Sequence, residues 1–389
     1  MKSKISVLEE ITNNKKQLVT NKYKYGQYFT KLEAVSKLLD ILNKYTAYPK
    51  NINILEPSFG TGNFIKVLED IGYENIDGCE IDSNLTPNPI DYFNYPIENK
   101  YDLIIGNPPF TKYNIKESYY YPKSYLNSDI KPHLYLNKKS VNKMKEKIEN
   151  VFILKSIKHL KNNNSTIAFI LPISFFIKSR NKKIKEELIQ NFSTVIIYQD
   201  KRVWFDYHIP CCFAIFTNNS KFDKKIILLY GNETIHEMIM DIKSINEELI
   251  PEVIFHKNNK SIINSQRCFL SEYITDKKLK YKKSYTCNNV SASNILMRIS
   301  IPNRENIENY KLAIVRVGNS SLGRCGLIDI EKDILNDMFY VFDFREEYKN
   351  NKEVKENVCK LINQNQDYFK RITCRVGSKS IKKEDILSF

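Results

Sequence analysis

The chain has 389 residues, 42% of them hydrophobic, with a net charge of +15 and a pI of ≈ 9.2. That length accommodates two domains and a sizeable core, and the charge favours a polyanionic partner. Nucleic acid comes before membrane, because no apolar run approaches the roughly 20 residues a membrane span needs. The eight cysteines form no Cys-x-x-Cys pair and the opening residues carry no signal-peptide pattern, which argues against zinc or a disulfide framework and for a reducing, cytoplasmic setting.

Residues 1–24 are polar and lysine-rich and read as a helix with a lead-in. Gly26-Gln27-Tyr28-Phe29-Thr30 follows, then apolar residues at helical spacing from Leu32 to Leu42. Thr30 stands where an N-cap would stand and Glu33 lies three residues on, which predicts a capping box. That role leaves Thr30 free to face a ligand as well.

Asn51 to Leu55 is a short β-prone run leading into Glu56-Pro57-Ser58-Phe59-Gly60-Thr61-Gly62-Asn63-Phe64. Strand, glycine-rich turn and helix in that order let backbone approach a ligand and present free N–H groups at a helix start. A second strand, 76–81, ends in Glu80 and Asp82 about 20 residues beyond the turn, the offset at which an acid can accept both hydroxyls of a ribose. Asp91-Tyr92-Phe93 sets an acid beside aromatics, a combination that suits either an adenine's amine and ring or an ordinary surface turn over a core Phe.

The strand 101–105 then runs into Gly106-Asn107-Pro108-Pro109-Phe110. Two consecutive prolines fix their own φ, lack N–H donors and push the residue before each towards extended backbone. The Asn107 amide, the Pro108 carbonyl and the Phe110 ring are thereby held together at a strand's carboxyl end. Two oxygen acceptors and a π-face suit a planar group bearing an NH2, such as adenine.

From Thr111 to Lys147, tyrosines (Tyr113 among them) alternate with lysines, which fits either nucleic-acid contact or a disordered insertion. A helix (141–160), a strand (166–171), a basic helix (179–191) and strands at 194–198 and 211–216 follow. Trp204-Phe205-Asp206-Tyr207-His208 precedes the last of these. The expected domains are 1–230, α/β, and 231–389, α+β with shorter segments. The second carries a lysine cluster that includes Lys277 and Lys278, and an echo of Arg316-Val317-Gly318 in Arg375-Val376-Gly377, shortly before Lys379.

These motifs resemble the gamma class of DNA adenine-N6 methyltransferases, typical of type II modification enzymes. Gly26–Thr30 is similar to the family's N-terminal cofactor motif, with Lys31 where a proline is usual, and Glu56–Gly62 to its glycine-rich motif. Glu80-Ile81 and Asp91-Tyr92 match the next two cofactor motifs, and Asn107–Phe110 the catalytic one. The resemblance implies a Rossmann-like fold with a mixed seven-stranded sheet, S-adenosylmethionine as cofactor and a C-terminal target-recognition domain. It implies cofactor contacts from Tyr28, Thr30, Glu56, Gly60, Gly62, Glu80, Ile81, Asp91, Tyr92 and Phe152, and catalytic roles for Asn107, Pro108, Phe110 and Phe205, the last on the second face of a flipped base. The implied substrate is double-stranded DNA, with a separately encoded restriction endonuclease as candidate partner. The chain itself is expected to be a monomer. Tyr113, Lys277, Lys278, Arg316, Arg375 and Lys379 are the candidate DNA contacts.

Two further readings remain at this stage. RNA-adenine and protein-glutamine methyltransferases share the Asn-Pro-Pro-Phe type of motif, though they lack the motif at Gly26–Thr30. An inactive DNA-binding protein on the same scaffold is the other, against which every residue the chemistry needs is present.

Overall fold

The structure, a computed structural model, describes residues 25–110, 112–114, 145–177, 180–202, 204–205, 209–258, 269–303, 305–373 and 379–389. The chain divides into two compact units, Met1–Pro251 and Glu252–Phe389.

In the first unit, helix α1 (Leu32–Tyr45) precedes strand β1 (Asn53–Glu56), helix α2 (Asn63–Asp70), β2 (Asn75–Gly78) and β3 (Leu103–Gly106). A short pair, β4 (Lys112–Asn114) and β5 (Lys145–Lys147), leads into α3 (Ile148–Lys158) and β6 (Thr166–Pro172). Helix α4 (Lys182–Asn191) and strands β7 (Thr194–Gln199), β8 (Cys211–Thr217), β9 (Lys225–Tyr230) and β10 (His236–Asp241) complete it.

The sheet order is β10-β9-β7-β8-β6-β3-β1-β2. β2, β1, β3 and β6 run parallel, β8 is antiparallel to both β6 and β7, and β10 is antiparallel to β9. Its central strands are buried throughout, which is why they read as continuous apolar runs. From β1 the chain moves outward to β2 and then crosses back to β3 on the other side. The strand order therefore reverses between β1 and β3, and the carboxyl ends of those two strands form the crevice where open α/β sheets gather ligands.

Four expectations need correction. The sheet has eight strands rather than seven, because β10 adds an antiparallel edge strand that alternates exposed and half-buried residues. That strand carries the first unit to residue 251, so the division lies at 251/252 and not at 230/231. Helix α1 begins at Leu32 with Lys31 at its N-cap and no side-chain cap bond. The capping box is absent, and the Thr30 hydroxyl is instead buried with no hydrogen-bond partner. The helix expected over 141–160 is also shorter, starting at Ile148 because 145–147 form a strand.

The second unit contains an antiparallel sheet in the order β11-β14-β12-β13: β11 (Ile274–Lys278), β12 (Tyr310–Val315), β13 (Cys325–Asp329) and β14 (Phe339–Phe344). Alternation along the strands divides its side chains. Leu312, Ile314, Phe342 and Phe344 pack with Val358, Cys359 and Ile362 of helix α5 (Lys352–Gln364), while Ala313, Val315 and Val341 pack with Val290, Ile295 and Leu335.

Candidate active site

The turn after β1 passes through two left-handed glycines, Gly60 (φ +54°) and Gly62 (φ +75°), the second at the N-cap of α2. A Cβ on Gly60 would stand 3.0 Å from the Phe29 ring, so glycine serves there both for conformation and for close approach. The Gly60 N–H donates to Glu80 Oε2 at 2.8 Å and the Asp82 N–H to Glu80 Oε1 at 2.9 Å. Each carboxylate oxygen of Glu80 is thus oriented by one backbone donor and keeps further acceptor capacity.

Residues 26–30 form a strap tied to this turn and to the corner after β3. Gln27 Nε2 donates to Asp82 Oδ2 at 2.8 Å, and Asn63 Nδ2 donates to the Thr30 carbonyl at 2.6 Å. Asn107 Nδ2 donates to the Tyr28 carbonyl at 2.6 Å, and the Phe110 N–H to the Gly26 carbonyl at 3.2 Å. The Ser58 hydroxyl donates to the Asn107 carbonyl at 3.1 Å. With its amide nitrogen committed to Tyr28, Asn107 turns Oδ1 the other way, and that oxygen is buried without a partner.

One cleft of about 510 Å³, its open mouth included, is lined by Gln27, Tyr28, Gly60, Glu80, Ile81, Asp91, Tyr92, Asn107, Pro109 and Phe152, among others. Phe152, from α3, meets the Tyr92 ring at 4.9 Å and the Phe93 ring at 5.4 Å. The Tyr92 hydroxyl and Ser156 Oγ are 2.9 Å apart, the His159 ring stacks on Tyr92, and Lys155 Nζ donates to the Tyr95 carbonyl at 2.8 Å. Helix α3 therefore sets the position of the Asp91–Tyr95 segment.

Three acids here have raised pKa values. Burial, then the neighbouring Glu80, pushes Glu56 well above the usual carboxylate range, and Glu56 Oε2 has no partner. Burial raises Glu80 against the N–H groups of Asp82 and Gly60. Burial also raises Asp91, with the Phe93 N–H and the Lys155 ammonium pulling it back. Buried acids without cationic ligand are unfavourable, so this cluster fits a ligand that brings hydroxyls, an amine or positive charge.

The structure thus brings Tyr28, Gly60, Glu80, Ile81, Asp91, Tyr92, Asn107 and Phe152 to one cleft, with Glu56, Gly62, Thr30 and Pro108 adjoining it in the chain. Phe110 and Phe205 meet edge to face (centroids 6.1 Å apart, 84°), with Tyr28 6.0 and 6.2 Å from them. Phe205 is 1% exposed, so in this arrangement the pair packs as core and leaves no parallel slot between the rings. Gln27, Lys155 and the Tyr28 carbonyl were not singled out as site residues. Their partners lie far away in sequence, and only the position of Gln27 inside a motif offered a signal.

Of the candidate DNA contacts, Lys278 and Arg316 come together on one ring, described below, and the Lys379 carbonyl accepts from the Gly318 N–H at 2.9 Å. Lys277 is exposed, Tyr113 is described only as part of the β4 backbone, and Arg375 lies outside the described residues.

Residues 43–204, which hold the glycine turn, the buried acids and the Asn-Pro-Pro-Phe corner, match the model of the Eco57I restriction-modification methylase family. Over that stretch the chain is similar to a restriction-modification methylase domain. The type II methyltransferase M.HincII of Haemophilus influenzae is 30% identical to it over 192 residues, covering 48% of this chain and 36% of that protein. M.AccI of Acinetobacter calcoaceticus, another type II methyltransferase, is 25% identical over 297 residues, 66% of this chain and 52% of its own length. The chain therefore spans about a third to a half of these relatives. The crystal structure of the type IIG restriction endonuclease BpuSI superposes with a TM-score of 0.50 at 12% identity, over 92% of this chain and 58% of that one, a likeness of fold. Among the described residues, no helix is long and apolar enough to cross a membrane.

Proposed function

We propose that this protein transfers a methyl group from S-adenosylmethionine to N6 of an adenine flipped out of double-stranded DNA, as a gamma-class modification methylase. The observation that carries the reading is the shared cleft: Asn107, with its unpartnered buried Oδ1, and the Gly60–Glu80 pair line the same cavity.

The residues present suit the cofactor. Glu80 would take the ribose hydroxyls, Asp91 the exocyclic amine of the adenine moiety, and Tyr92, Ile81 and Phe152 its ring, while Glu56 and Thr30 suit the charged amino-acid end. When bound, this cofactor supplies an electrophilic methyl on a sulfonium. The protein's part is to position the acceptor. The amine of adenine is a poor nucleophile because its lone pair is delocalised into the ring. Asn107 Oδ1 and the Pro108 carbonyl, each accepting one N–H, draw that nitrogen towards sp3 and aim its lone pair at the methyl. This is orientation and electrostatic stabilisation. No strong base is required, because the nitrogen becomes acidic once methylated and loses its extra proton readily.

Eversion of a base requires a few kcal/mol, which aromatic contacts at roughly 1–3 kcal/mol per base partly offset. Phe110 and Phe205, which meet edge to face, are the rings assigned that role, and a base entering between them replaces that contact. The second unit, with its lysine-rich surface, would read the target sequence. The test is titration with S-adenosylmethionine alongside turnover on duplex DNA: wild type binds and methylates, and Asn107→Ala binds but does not methylate. Absence of cofactor binding by wild type would support an inactive scaffold.

A further inference from the structure

We propose that the Lys278–Tyr340–Arg316 stack on the second unit is a contact for the phosphate backbone of DNA, an assignment that rests on the DNA-acting reading above. Lys278 ends β11, Tyr340 lies in β14, and Arg316 follows β12. Ile314 pairs with Tyr340 in the β12–β14 ladder, so residue 316, two positions on, falls on the Tyr340 face of the sheet. Lys278 Nζ stands 3.9 Å from the centre of the Tyr340 ring and the Arg316 guanidinium carbon 5.5 Å from it. Two cations from separate strands thus converge on one half-buried aromatic.

Several cations of this unit pair with a carboxylate, and among the described residues these two do not. Lys311 pairs with Asp343 at 2.7 Å, Lys332 with Glu305 at 2.6 Å, Arg298 with Asp333 at 2.7 Å and Lys349 with Glu346 at 2.6 Å. Among the described residues, neither Lys278 nor Arg316 has such a partner. Arg316 Nε donates only to the Asp337 carbonyl, at 2.9 Å, which leaves its terminal N–H groups for another acceptor. A guanidinium held by a ring and one backbone carbonyl is pre-set for an anion.

Two neighbouring features extend the patch. Lys283 lies 5.2 Å from the Tyr281 ring, again a cation on tyrosine. Burial pushes the Tyr281 hydroxyl up while Arg316 pulls it back and Asp337 and Tyr285 oppose that, so Tyr281 and Tyr285 share the electrostatic surroundings of Arg316. On the other flank, the Ile381 N–H donates to the Arg316 carbonyl at 2.9 Å, and Lys379, whose Nζ donates to the Lys370 carbonyl, lies two residues before it. Two mutually repelling cations on one ring are unfavourable unless an anion comes between them. Phosphates spaced regularly along a duplex supply that charge, and the positive balance of the whole chain favours the same partner.

The experiment measures binding of a fluorescent duplex by anisotropy across a salt series, using full-length wild type, Lys278→Gln/Arg316→Gln, and Lys349→Gln as a control. Lys349 stands beside Glu346 and Asp343, towards the far end of β14 from Tyr340. The double variant should bind duplexes of different sequence more weakly by a similar factor. Its plot of log affinity against log salt should be shallower by about 2, near one per phosphate contact removed, while the control matches wild type. S-adenosylmethionine binding should be unchanged in all three, which also shows that the first unit is folded. A wild-type-like slope in the double variant overturns the assignment and leaves the methylase reading intact. Failure of wild type itself to bind duplex overturns both.

Discussion

Replacing Asn107 by aspartate changes one atom of the amide, and the structure dictates what that does. Asn107 Nδ2 donates to the Tyr28 carbonyl at 2.6 Å, and this bond turns Oδ1 away from Tyr28, where it is buried without a partner. An ionised aspartate has no donor, so one of its oxygens would face the Tyr28 carbonyl acceptor to acceptor and the side chain would turn away. The lost bond and the unmet carbonyl are worth about 1–3 kcal/mol, equivalent to a roughly 5- to 160-fold fall in kcat if the loss falls on the positioned transition state. A protonated aspartic acid, in contrast, can donate to Tyr28 again. Single-turnover methyl transfer by Asn107→Asp should therefore recover as pH falls, because acidification fills the form that carries the donor. Wild type and Asn107→Ala have no such group at this position, so neither should recover. Asn107→Asp running at the wild-type rate at neutral pH, or lacking any recovery on acidification, would refute the role assigned to the Tyr28-locked amide.

Glu56 is buried with its pKa raised and one oxygen unpartnered, so it costs the fold stability from the ordinary carboxylate range upward, where the unfolded chain ionises freely, and the loss is complete once pH passes the raised value. Glu56→Gln should raise the thermal midpoint of the ligand-free protein by roughly 2–4 °C per kcal/mol relieved, with the gain shrinking as pH falls and wild type becomes neutral, and it should weaken cofactor binding; scanning fluorimetry from pH 5 to 8 and calorimetric titration measure the two. In Lys155→Met, Asp91 loses the cation that opposes its upward shift. Cofactor affinity should then be lost at a higher pH on acidification than in wild type, as calorimetry across the same range reports. Phe205→Ala removes a fully buried ring and should cost about 3–5 kcal/mol of stability. Phe205→Leu should keep the midpoint close to wild type yet lower the fluorescence of an extrahelical adenine analogue at the target.

Much of the site was legible because its residues cluster in short motifs whose local physics is unambiguous. Gly60 and Gly62 announce a left-handed turn, and the two prolines after Asn107 announce a rigid corner. Apolar runs such as 166–171 announce buried strands. What the sequence hid was carried by contacts between distant segments. Asn107 is 79 residues from the Tyr28 carbonyl that orients it, and Gln27 is 55 from Asp82. Thr30 illustrates the opposite failure: a local capping pattern was present, yet the strap geometry placed its hydroxyl in the interior. Strand β10, with its alternation of exposed and half-buried residues, lacked the apolar continuity that marked the inner strands. Lys278 and Arg316 were expected as DNA contacts, yet nothing in the sequence said that the sheet register brings them to the same ring.

The central claim is that one cleft joins a cofactor turn to an acceptor pair shaped for the amine of adenine. Incubating the protein with methyl-labelled S-adenosylmethionine and genomic duplex DNA, then digesting to nucleosides for mass spectrometry, tests it most directly. Label in N6-methyldeoxyadenosine, absent with Asn107→Ala, is the predicted result. Label confined to a cytosine derivative, or to RNA or protein supplied in place of DNA, would contradict it.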